Sequence, residues 1–107
     1  MAAIRQNVFD PLINEQYIQG VKLLKAEFLG PSTLDLNIDG PAQPVSTYDL
    51  FVAWHHIAAN TFTPPDQTER SVSHRGPAFL PWHRFMLSIF EIQLQRVLNA
   101  PAFGLPY

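Results

Sequence analysis

A chain of 107 residues has the length of one domain, and with 47% hydrophobic residues, among them eight Phe, three Tyr and two Trp, it can bury a core. A formal net charge of −2 with no Lys/Arg run excludes a nucleic-acid or anionic-membrane surface. The absence of cysteine excludes disulfides, thiolate metal sites and cysteine nucleophiles, and no apolar run reaches the ~18 residues of a membrane-spanning helix.

Residues 1–10 lack a basic segment followed by an apolar one, so no export signal is visible and cytoplasmic residence is expected. Asp10-Pro11 then reads as an N-cap followed by proline at the first helical position. Ile13, Tyr17, Val21, Leu24 and Phe28 recur at steps of three or four, which places them on one helix face, and Gly30-Pro31 is expected to stop that helix. Residues 31–45 are rich in Pro, Gly and Asp and read as a loop with a short extended piece at 34–38. A second helix is expected to start at Ser46 or Thr47, where Ser46 and Asp49 resemble a capping box. It runs through Leu50, Phe51, Trp54 and Ala58 and frays near Asn60. Residues 60–73 read as an exposed loop around Pro64-Pro65. The third helix is expected from Pro81 to about Asn99, with His83, Leu87, Phe90, Leu94 and Val97 on one face. No internal repeat or linker divides the chain, so residues 1–107 read as a single helical unit.

Four histidines stand at 55, 56, 74 and 83. Neutral imidazole suits Cu, Zn, Ni and Fe, and three imidazoles hold one such ion with a position left open. His55 projects from the second helix and His83 from the start of the third, while His74 lies in the irregular segment before it. Two antiparallel helices can bring such side chains together in a bundle core. Ligand type alone does not separate copper from zinc, and a histidine in an apolar stretch is more often a hydrogen-bonded core residue than a ligand. His55 shares the face of Phe51 and Ala58. His56, turned by about 100° on the helix, reads as solvent-facing or as a support for a ligand.

The stretch SHRGPAFLPWHR at 73–84, continued by Phe90 and Glu91, closely resembles the copper-A signature of the tyrosinase family. That family includes tyrosinases, catechol oxidases, aminophenol oxidases and molluscan haemocyanins. Upstream, Tyr48-Asp49-Leu50-Phe51-Val52-Ala53-Trp54-His55 resembles the helix bearing the family's first ligand. Ile4-Arg5-Gln6-Asn7 and Leu105-Pro106-Tyr107 resemble segments at the start of the family's central domain and after its first half. The resemblance implies an all-α fold: antiparallel helices of a four-helix-bundle core, incomplete in this chain. It implies His55, His74 and His83 as ligands of the first copper, Phe79 packed near them, and Arg84 and Glu91 supporting their orientation. Val72 stands where fungal, plant and molluscan members carry a cross-linked cysteine, so the chain looks more like the bacterial branch.

The family's reaction uses two copper ions, and the second needs three more histidines, of which this chain offers only His56. The chain is therefore expected to be the copper-A half of a longer or split protein, holding one ion and inactive alone. A second half would complete the core. The implied activity is oxidation of phenols, o-diphenols or o-aminophenols to quinones by dioxygen. Two other readings stand beside it: a haemocyanin-like dioxygen carrier, and a non-catalytic fragment with zinc or no metal.

Overall fold

The computed structural model describes residues 5–61, 71 and 79–107, and in it helix α1 spans Pro11–Ala26. Its start follows from local chemistry. The Asp10 side chain accepts from the Leu12 amide, and Pro11 opens the helix where its missing N–H costs nothing. Its end comes earlier than Gly30-Pro31. Glu27 is already extended (φ −95°, ψ 128°), because its carboxylate is held by Arg96 and Thr47. Phe28 therefore leaves the helical face and is 54% exposed in a strand.

That strand, β1 (Phe28–Ser32), pairs antiparallel with β2 (Pro44–Ser46), with Phe28 opposite Ser46 and Ser32 opposite Pro44. The register is irregular between the two pairs, and Gly30 takes the positive φ (115°) that such a bulge favours. The extended pieces thus flank residues 34–38 and do not occupy them. Those residues form turns instead, with the Ile38 and Leu36 amides donating to the Thr33 carbonyl. Asp35 accepts from the Ser32 amide and hydroxyl, and Asn37 sits at φ 58°. The expected all-helical chain is helical with this small sheet added.

Helix α2 (Thr47–Ala59) begins as its sequence implies. The Ser46 hydroxyl accepts from the Asp49 amide, and Asn60 closes the helix. Helix α3 (Phe79–Leu98) begins two residues before Pro81. A proline at the third position is tolerated there, because the first turn's amides have no helical acceptor. Of the expected loop at 60–73 only residues 60, 61 and 71 are described, and His74 lies outside the described residues.

Leu24 and Leu94 are fully buried and form the centre of the core with Phe103 and Leu105. Each such burial stabilises by about 2 kcal/mol relative to exposure. Tyr17, Val21, Phe90, Val97 and Leu98 pack around them. Gly20 lets α1 approach α3 closely: a Cβ there would stand 2.7 Å from Leu94 Cδ2 and 3.1 Å from Leu98 Cδ1. The segment after α3 folds back, and the Val8 amide donates to the Tyr107 carbonyl while the Tyr107 amide donates to that of Gln6. Among the described residues no helix is long and apolar enough to cross a membrane.

Candidate metal centre

Aromatic side chains join α2 to α3 in a fixed order. Tyr48 and Phe51 meet Phe90, at ring-centre distances of 6.2 and 5.2 Å. One to two turns on, Trp54 meets Phe85 at 6.0 Å and Trp82 at 5.3 Å. His55 then meets Trp82 and His83. Rising numbers on α2 pair with falling numbers on α3, so the two helices run antiparallel. Rings rather than small aliphatic side chains fill the space between them, and edge-to-face geometry dominates, as ring quadrupoles prefer.

The ladder brings two of the sequence's candidate ligands together. The imidazoles of His55 and His83 lie 5.4 Å apart, edge to face at 88°. Two imidazoles sharing one ion at a metal–nitrogen bond of about 2 Å have ring centres roughly 5 Å apart, so the spacing fits a common metal. His83 Nδ1 lies 2.8 Å from the Phe79 carbonyl oxygen. A carbonyl only accepts, so Nδ1 carries the proton and Nε2 is the ring nitrogen that would bind a metal. The longer α3 makes this bond: His83 sits in the second turn, four residues after Phe79, and not in the first.

Among the described residues no group of three or more metal-ligating side chains converges, and His74 lies outside them. His56 takes a different place from His55. It is exposed, its carbonyl accepts from the Asn60 side-chain amide, and its side chain lines a groove between α2 and the turns at 33–38. The donor set that is described, two imidazoles among aromatic rings, suits a borderline ion such as copper or zinc.

The residues expected to support the ligands are spread along α3. Phe79 packs its ring on His83, 4.4 Å away and tilted by 38°. Arg84 is exposed, and its carbonyl accepts from the Ser88 hydroxyl. Glu91, two turns further on, accepts from the Leu105 amide at 2.9 Å and pairs with Arg5 at 3.3 Å. Its described partners are thus the segments before α1 and after α3. The sequence analysis assigns Trp82 no role; the structure stacks it on His55. Its place directly before His83 was the available signal.

Comparison with known proteins bears on the same residues. The family model described as "Common central domain of tyrosinase" matches residues 45–107, more than half of the chain, including α2 and α3. A goldfish (Carassius auratus) 5,6-dihydroxyindole-2-carboxylic acid oxidase is 36% identical over 77% of the chain. A bovine (Bos taurus) tyrosinase is 28% identical over 97% of it, and the human (Homo sapiens) 5,6-dihydroxyindole-2-carboxylic acid oxidase is 42% identical over 59%. The chain spans only 16%, 22% and 12% of the lengths of these three proteins. All three are vertebrate proteins.

Proposed function

This chain belongs to the tyrosinase family, and on that premise we propose that it supplies the first-copper half of a dicopper oxidase. The whole protein would oxidise phenols, o-diphenols or o-aminophenols to quinones with dioxygen. His55, His74 and His83 would hold one copper ion, and a second half of the protein would hold the other. The observation that carries this reading is the His55–His83 pair, with ring spacing suited to one ion and the His83 proton held on Nδ1 by the Phe79 carbonyl.

Copper, when bound, supplies the redox chemistry. The chain's own residues have narrower tasks. The Phe79 carbonyl holds the His83 proton on Nδ1, and the Phe79 ring flanks the imidazole. The rings of Trp82 and Trp54 keep the α2 side of the pair apolar. Oxidation is favoured over dioxygen carriage because two of the relatives named above are oxidases of a dihydroxyindole, a ring bearing an o-diphenol.

A partner half is supported by what α2 and α3 leave uncovered. Val52, Ile57, Phe85 and Ile92 are each about half exposed or more. Leu87, on the same helical face as the core residues Phe90 and Leu94, is still 41% exposed. Apolar surface of this kind on ligand-bearing helices calls for cover.

The test is metal analysis of the full-length protein with catechol oxidation measured alongside. Wild-type protein is expected to hold two copper ions and to turn over catechol. His55→Ala, His74→Ala and His83→Ala each remove one ion and the activity. Unchanged copper content in all three variants would sink the assignment. Copper binding with reversible dioxygen uptake and no turnover would favour the carrier.

A further inference from the structure

We propose that Trp82 is a positioning residue for the two imidazoles, setting the ring plane of His55 and bracing that of His83. The inference rests on the reading of His55 and His83 as ligands. A histidine on a helix has a broad second side-chain torsion, so the helix fixes where the ring begins but not which way its nitrogens face. A metal ligand needs that last rotation settled beforehand. His83 receives it from the Phe79 carbonyl. His55 lies flat against the Trp82 indole, with ring centres 5.5 Å apart and planes within 25°. Turning His55 about its second torsion would give up that stacked contact with the indole face.

The indole is itself held. Trp54 packs on it at 5.3 Å and is backed by Phe85 at 6.0 Å and Phe51 at 6.1 Å. Trp82 also meets the His83 ring edge-on, at 4.9 Å and 73°. One side chain therefore touches both imidazoles and is anchored from α2 and α3 together. Its electron-rich face also favours positive charge spreading onto the ring it covers, as in cation–π contacts. A flat ring at position 82 is the requirement; an aliphatic side chain would fill space without fixing a plane.

The experiment compares full-length wild-type protein with Trp82→Phe, Trp82→Leu and Trp82→Met. In the metal-free proteins, NMR reads the His55 ring protons. The indole ring current is expected to shift them upfield in wild type, less so in Trp82→Phe, and not at all in the aliphatic variants. In the copper-loaded proteins, the aliphatic variants are expected to bind copper roughly 10–100-fold more weakly, the usual effect of losing a group that orients a ligand. Their Cu(II) ligand-field absorption spectra change, whereas Trp82→Phe stays close to wild type in affinity and spectrum. Two aliphatic variants guard against one failing to fold, with circular dichroism as the check. A His55 resonance without an upfield shift in wild type overturns the proposal. So does an aliphatic variant that loses the shift yet keeps wild-type affinity and spectrum. A wild-type protein that shows the shift and binds no copper instead removes the ligand assignment on which the proposal stands.

Discussion

Glu27 and Arg96, 69 residues apart in sequence, meet in a two-pronged ion pair, with Nη1–Oε2 at 2.9 Å and Nη2–Oε1 at 2.5 Å. The Thr47 hydroxyl donates to the same carboxylate at 2.6 Å, and the Thr47 amide donates to the Glu27 carbonyl. One residue just past α1 thereby ties down the first residue of α2 and the last turn of α3. The hydrogen bonds from Arg96, and then that from Thr47, hold the Glu27 carboxyl down at about 2, against an ordinary value of 4.5. Because the folded value lies below the unfolded one, the charged form favours folding. That contribution is complete above about pH 4.5 and is lost as pH falls from there toward 2. Glu27→Gln is expected to lower the unfolding midpoint at pH 7 and to flatten the acid limb below pH 4.5. Thermal melts across pH 2–7 measure both, and an unchanged acid limb would count against the tie.

Leu94 is fully buried against α1, and Gly20 is small because Leu94 is there. Leu94→Ala is expected to cost about 2–5 kcal/mol, the usual range for a buried leucine with its cavity. Urea denaturation measures it. A loss under 1 kcal/mol would mean that the α1–α3 seam is looser than its geometry.

Glu91 accepts from the Leu105 amide in a part-buried site and pairs with Arg5. Glu91→Ala leaves that amide without its acceptor and should cost about 1–3 kcal/mol, while Glu91→Gln keeps an acceptor and should cost less. If Glu91 supports the ligands only by fixing these two segments, copper affinity should follow stability across the pair. A copper defect in Glu91→Gln at wild-type stability would point to a more direct electrostatic role.

His55 and His56 differ by one position and should differ entirely in effect. His56→Ala removes an exposed ring from the groove beside the turns at 33–38 and should leave copper content unchanged. His55→Ala should remove one ion. Elemental analysis of the two variants side by side decides between them, and equal losses would undo the choice of face.

Where chemistry is local, the sequence was legible. Asp10 and Ser46 cap the helices that follow them, because a side-chain acceptor within three residues needs no distant partner. The helical period alone puts His55 on the face of Phe51 and Ala58, and the structure sets it beside His83. Long-range partners were the hidden part. Nothing near Glu27 in the chain announces Arg96, and without that pair the periodicity carried α1 on to Phe28. The β1–β2 pairing was missed for the same reason, since residues 28–32 and 44–46 become strands only by meeting each other. At the site, His55 and His83 could be named from the chain, but the stacking of Trp82 on His55 depends on how α2 and α3 face each other.

The ladder between α2 and α3 has a spectroscopic consequence. The chain has two tryptophans, Trp54 and Trp82, and they touch each other within one ring of His55. All of this chain's indole emission thus originates beside the imidazole pair. A paramagnetic ion held there should quench it, and a change in the α2–α3 spacing should shift its colour. Within this chain, tryptophan fluorescence is a label-free gauge of the candidate metal centre.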